Sequence, residues 1–281
     1  MDLWVRVLAP LLEARWKQSV VVENRPGASG LIGTEYVARA PADGHTILAG
    51  SQTTAMAKLT SSAIKFDPQV DLAPVYKFIN YKIVFATNAQ TAAQARTLVD
   101  LVALSQAKGG LFFGGLGASS SINVSNAIVN RALGMKFTSV DFPGTAQAML
   151  ALLRNDVQLV LNTPGALKPF IDAGTVAQVA VLSEARFSDM PDVQSVREAG
   201  YRGYVPQIWN GLFAPRNTPL AIRQQIARDI QAVATTAEGR ALFDKFTGVV
   251  QVSAPESFEK EMTEETRVWR EFLASINFKP E

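Results

Sequence analysis

Short apolar runs alternate along this chain with clusters of small polar residues, and amphipathic repeats fill the stretches between. Leu3, Val7, Leu8, Leu11 and Leu12 recur at helical spacing, which predicts a helix over 2–16 with Asp2 at its positive end. Val20, Val21 and Val22 form a run closed by Pro26 and Gly27, the mark of a buried strand ending in a tight turn. Gly27, Ala28, Ser29 and Gly30 then lead into helical character from Thr34 to Arg39. A strand, a loop of small residues and a helix start together aim free backbone N–H groups at an anion.

The unit recurs. Strands are predicted over 45–49, 83–86, 137–140, 157–161 and 176–182, and Leu111, Phe112 and Phe113 run into a loop over 114–121. Phe66-Asp67-Pro68 and Leu72-Ala73-Pro74 read as loop punctuation. Helices are predicted over 91–108, with Leu98, Leu101 and Val102 inward, and over 146–153. The last third is mainly helical. Thr218 reads as an N-cap with Pro219 at the first helical position, and Ile222, Ile226, Ile230 and Val233 share one face. Ser253 to Glu256 reads as a capping box, followed by an apolar stripe of Phe258, Met262, Trp269, Phe272 and Ile276. Strands alternating with helices predict an α/β class with mostly parallel sheets, in which ligands sit beyond the carboxyl ends of the strands.

A length of 281 residues predicts two domains. A net charge of +2 without a Lys/Arg cluster argues against nucleic acid as a partner. The chain has no Cys, which excludes disulfides, thiolate nucleophiles and Cys-ligated metals. No apolar run approaches the roughly 18 residues of a membrane span, and the first residues lack the basic, apolar and small-residue regions of a signal peptide.

Four loops, at 28–30, 51–54, 114–121 and 162–165, offer amides and hydroxyls with almost no charged side chains. Hydrogen bonds to a carboxylate contribute roughly 1.5–3 kcal/mol each, so several such donors hold a small organic anion without an arginine. Ordinary tight turns favour the same residues. Enzyme motifs are incomplete: Ser29 stands where a dinucleotide fingerprint needs its second Gly, and no Walker A sequence occurs. Gly27-Ala28-Ser29-Gly30 is one residue short of a nucleophile elbow, and Ser62-Ala63-Ile64-Lys65 lacks its companion motifs. His45, the single histidine, opens a predicted strand, and no His/Asp/Glu group has metal-ligand spacing. No catalytic residue, metal or cofactor is expected. Phe142 and Trp209 read either as core packing or as walls of a cleft.

The run from Val20 through Asn24-Arg25-Pro26-Gly27-Ala28-Ser29-Gly30 to Gly33 closely resembles the signature of the substrate-binding proteins of tripartite tricarboxylate transporters, the Bug family. The likeness continues at Ala42-Asp43-Gly44-His45-Thr46-Ile47-Leu48, where the family usually has Tyr for His45, and at Phe142-Pro143-Gly144-Thr145. It continues again at Met190-Pro191-Asp192-Val193, Glu198-Ala199-Gly200-Tyr201 and Trp209-Asn210-Gly211-Leu212-Phe213-Ala214-Pro215, and so covers nearly the whole chain.

The resemblance implies a two-domain periplasmic binding protein of the type II, flytrap kind, each domain a mostly parallel sheet flanked by helices. Domain 1 would comprise residues 1–87 and 212–281 and domain 2 residues 88–211, with hinge crossings near 86–88 and 210–212. It implies a monomeric periplasmic receptor that closes on a small organic carboxylate and delivers it to membrane permease subunits. Ala28, Ser29, Gly30, Ser51 and Thr53 would face the ligand from domain 1. Ser119, Ser120, Ser121, Thr145, Asn162 and Thr163 would face it from domain 2. A ligand sensor for a membrane kinase would use the same site; a hydrolase or isomerase would have to use His45. Family members have an export signal, a strand and a Pro- and Gly-rich loop ahead of the helix that here starts near Asp2. The expectation is therefore a gap in the domain 1 site or another segment in that place.

Overall fold

The computed structural model describes residues 2–25, 27, 30–62, 64–117, 120–243 and 248–278. It divides into two compact units, Met1–Asn80 with Trp209–Glu281, and Tyr81–Ile208. The strands in chain order are β1 (Leu48–Ser51), β2 (Leu72–Tyr81), β3 (Val84–Asn88), β4 (Leu111–Gly115), β5 (Phe137–Asp141), β6 (Leu159–Asn162), β7 (Val176–Val181), β8 (Trp209–Pro215) and β9 (Gly248–Ser253).

The first unit carries a four-stranded sheet in the order β1-β8-β2-β9. β8 pairs antiparallel with both β1 and β2, and Asn80 lies opposite Trp209. The direction follows from connectivity. β2 ends where the chain leaves the unit and β8 begins where it returns, so two strands paired at that point run in opposite senses. The stretch 72–74, expected as loop, is strand, because Leu72, Ala73 and Pro74 are buried. Pro74 sits at a register shift against β8, which tolerates its missing N–H.

Helices cover this sheet. Asp2–Trp16 buries Trp4, Leu8 and Leu12 and stacks Trp4 on Phe78 with centroids 3.9 Å apart. Its C-terminal end is fixed to helix Leu220–Ala234 through Arg15 and Trp16, both donating to Asp229. Helix Pro255–Ser275 buries Phe258, Met262 and Trp269, while Ile276 lies beyond its end and is 43% exposed. Phe258 meets Trp209 edge-on at 5.0 Å and Phe213 at 5.4 Å.

The second unit holds a five-stranded sheet in the order β5-β4-β6-β3-β7. β4 is parallel to β5 and β6, whereas β3 is antiparallel to β6 and β7. β3 lies wholly within this unit because both its neighbours do. Its core joins Val84, Ala86, Val160 and Val181 to Met149, Leu152 and Leu167 from the flanking helices, with Phe142 packed against it.

Several expectations need correction. The α/β class stands, but the sheets are not mostly parallel: described pairings in the first unit are antiparallel, and the second is mixed. Residues 20–22 form no strand, and Val21 is 85% exposed, since no strand among the described residues lies beside them to complete a ladder. The helix expected over 91–108 is two, Ala89–Ala92 and Leu98–Ala107, the second opened by a capping box between Thr97 and Asp100. The box expected over 253–256 does not form; Ala254 is the N-cap, and it contributes no side-chain bond. Pro219 is the N-cap where Thr218 was expected, and Thr218 is buried instead.

The aromatic cluster yields a stability prediction. Phe258→Ala removes a fully buried ring and should cost about 3–5 kcal/mol in urea unfolding. Leu150→Ala, at a position 53% exposed, should stay within about 0.5 kcal/mol of the parent.

Candidate functional site

In the second unit, parallel pairing decides where the chemistry falls. Because β4, β5 and β6 run the same way, their carboxyl ends lie along one edge of the sheet. Each strand leads there into a helix: β4 into Ser121–Leu133, β5 into Thr145–Leu153 and β6 into Pro164–Asp172. Three sets of first-turn N–H groups, with the positive ends of three helices, therefore share that edge.

Asn123 organises the loop between β4 and its helix. Its Oδ1 accepts from Leu116 N at 2.8 Å and Ser120 Oγ at 3.1 Å. Its Nδ2 donates to Ser139 Oγ at 3.0 Å and Asp141 Oδ1 at 2.7 Å. All four hydrogen-bonding positions of this buried amide are used, which ties the loop to the end of β5. Gly115 is required beside it, since a Cβ there would lie 2.5 Å from both Asn123 Oδ1 and Ser139 Oγ. Ser120 caps its helix by accepting from Asn123 N at 3.2 Å. Gly144 and Thr163, the N-caps of the other two helices, form no side-chain cap bond.

In the first unit, Gly30 opens helix Leu31–Ala38 at φ 92°, a left-handed conformation suited to glycine. Its N–H donates to Gly27 O at 2.9 Å, and its carbonyl accepts from Thr34 Oγ1 at 3.0 Å. Ser51 ends β1 opposite Asn210 and caps helix Gln52–Ala55. Gln52 is buried, and its Nε2 donates to Glu265 Oε1. Trp209 Nε1 donates to the other carboxylate oxygen, Oε2, at 2.8 Å. Burial pushes the Glu265 carboxyl up to about 7, against the Trp209 bond, the positive charge of Lys77 and the Gln52 bond. Lys77, itself buried, pairs with Glu261 at 2.9 Å.

Of the ligand residues expected from sequence, Ser120, Ser121, Thr145, Asn162 and Thr163 gather at the edge of the second unit's sheet. Gly30, Ser51 and Thr53 sit on helix starts in the first unit. Ala28, Ser29 and Ser119 lie outside the described residues. His45 is exposed in a turn before β1, not in a strand, with its backbone N–H donating to Asp43 Oδ1 at 2.9 Å. Trp209 is a packing residue, 2% exposed, and Phe142 is partly buried against the second unit's core. Among the described residues, no group of three His, Asp or Glu could hold a metal, and no helix is long and apolar enough to cross a membrane.

Sequence reasoning passed over Asn123, Gln52 and Glu265. Glu265 had a usable signal: it falls on the stripe of Phe258, Met262 and Trp269 at helical spacing, where a charge requires partners. Asn123 had none, since an amide at the third helical position reads as surface.

A family model described as the tripartite tricarboxylate transporter family receptor matches residues 4–277. The chain is similar to the solved structure of R. palustris Rpa4515 with adipate, with TM-score 0.80 and 25% identity, covering 100% of this chain and 94% of that one. MatC (Rpa3494) from Rhodopseudomonas palustris with bound malate gives TM-score 0.75 and 25% identity, over 96% of this chain and 92% of that one. The periplasmic binding protein BugD gives TM-score 0.77 at 24% identity, over 99% and 93%, and shares the fold.

Glu265 makes stability depend on pH in a stated direction. Its carboxyl holds a proton in the folded chain up to about 7, against an ordinary value of 4.5. Between those values the folded state binds more protons than the unfolded one, so stability falls as pH rises through that window. Thermal unfolding across it should show the decline in the parent and a flatter profile in Glu265→Gln.

Proposed function

Because the chain belongs to the tripartite tricarboxylate transporter receptor family, we propose that it is a periplasmic receptor that captures a small organic carboxylate and delivers it to membrane permease subunits. Its family and structural neighbours are solute-binding proteins, not enzymes. The observation that carries the ligand class is the convergence of three helix starts at the carboxyl ends of β4, β5 and β6. Amides and hydroxyls there match the acceptor-only chemistry of a carboxylate. Adipate and malate, held by Rpa4515 and MatC, are both dicarboxylates.

On this reading Ser121, Thr145, Asn162 and Thr163 contribute donors from the second unit, while Ser120, which donates to Asn123 and Gly117, holds the helix start in place. Ser51 and Thr53, with Ala28, Ser29 and Ser119, add further donors, while Gly30, whose N–H is taken by Gly27 O, contributes close backbone approach. The protein acts as a monomer.

A thermal-unfolding screen against di- and tricarboxylates, amino acids and aromatic acids tests the ligand class. A specific binder at 100 times its Kd should stabilise by about 2.7 kcal/mol. Thr145→Ala should weaken that ligand by about 1.5–3 kcal/mol in calorimetric titration, the contribution of one bond to a charged group. A flat response to every carboxylate, or stabilisation by amines alone, would reject the proposal.

A further inference from the structure

We propose that Glu265 is a positioning residue for ligand binding: its carboxylate holds the Ser51–Thr54 segment and the start of β8 in one arrangement. The link to ligand rests on the proposed function, through Ser51 and Thr53; the positioning itself does not.

The geometry is a clamp across the end of a ladder. Ser51 and Asn210 are register partners in the β1–β8 pair. The neighbours that flank this pair, Gln52 after Ser51 and Trp209 before Asn210, both donate to Glu265, one to each oxygen. Glu265 is 2% exposed, as are Trp209 and Lys77, and Gln52 is 1% exposed, so water does not substitute for these bonds. Trp209 is also the first residue after the chain re-enters this unit. One carboxylate thus fixes a segment with two proposed ligand residues and the point where the chain returns.

On the same helix the Phe258 ring packs edge-on against Trp209 at 5.0 Å, a contact without hydrogen bonds. Lys77 on β2 supplies the facing positive charge, Glu261 lies one turn earlier and pairs with Lys77, and Thr266 donates to Met262 O at 2.6 Å. A carboxylate accepts from two donors at once, whereas a glutamine at the same place presents one acceptor and two donors. Substitution therefore releases Gln52 or Trp209 while preserving side-chain size.

Hydrogen exchange on the ligand-free protein and titration of the best-binding carboxylate test this together. Glu265→Gln should speed exchange of amides over 52–55 and 209–211 by about tenfold, with β4 and β6 unchanged. It should weaken the carboxylate by about tenfold, or about 1.4 kcal/mol. Trp209→Phe, which removes one donor and keeps a ring, should move both readouts the same way. Parent affinity should rise from about pH 6 to about pH 8 as the clamp ionises, and Glu265→Gln should be flat there. Unchanged exchange over 52–55, or faster exchange throughout the chain, would overturn the positioning role. Faster local exchange with unaltered affinity would overturn the link to ligand. A parent that binds no carboxylate, with exchange still responding to Glu265→Gln, would reject the proposed function and leave the positioning intact.

Discussion

The parallel pairing of β4 with β5 and β6 is the constraint on which the functional account depends. A parallel ladder puts like ends of strands together, and here each carboxyl end continues into a helix. An antiparallel neighbour would have sent one of those helix starts to the far edge. Core packing holds the arrangement: Val160 and Leu161 of β6 are buried, as are Met149 and Leu152 of the helix after β5 and Leu167 of the helix after β6. The loops that follow these strands can consequently be small and polar, although Phe142 in one of them packs on the core. Asn123 then ties Leu116 and Ser120 to the end of β5.

On the proposed function, backbone N–H groups and hydroxyls at that edge hold the carboxylate in place of an arginine or lysine. An arginine would bind a carboxylate more strongly in isolation but would also have to be desolvated. Helix N–H groups are already aligned by the backbone and need little reorganisation when a ligand arrives. The first unit handles charge differently. It buries Glu265 and Lys77 and satisfies the carboxylate with an amide and an indole. Each buried charge there has partners, as desolvation requires.

Much of the second unit was legible in sequence because its strands are short apolar runs bounded by glycine and its helices are strongly amphipathic. The strands β4 to β7 and the helix start at Thr145 fall close to where the pattern places them. The first unit was harder. β2 contains Pro74 and Lys77, which break an apolar pattern, and only tertiary features rescue them: a register shift at the proline and an ion pair at the lysine. β8 contains Asn210 and Gly211, which interrupt its apolar pattern, and close approach of Phe258 demands glycine at 211, where a Cβ would lie 2.6 Å from the ring. Val20 to Val22 failed for the opposite reason. Apolar residues alone do not make a strand where no neighbour supplies ladder partners. For the site, small polar loops marked the right stretches, while the residues that hold them in place were invisible, because Asn123 and Glu265 act through partners distant in sequence.

The most direct test of the central claim is a crystal structure of the protein with its best-binding dicarboxylate. The account predicts a carboxylate oxygen within hydrogen-bond distance, about 2.7–3.2 Å, of backbone amides or hydroxyls among Ser121, Thr145 and Thr163. A ligand carboxylate held instead by lysine or arginine side chains, with no contact to the helix starts after β4, β5 and β6, would contradict it.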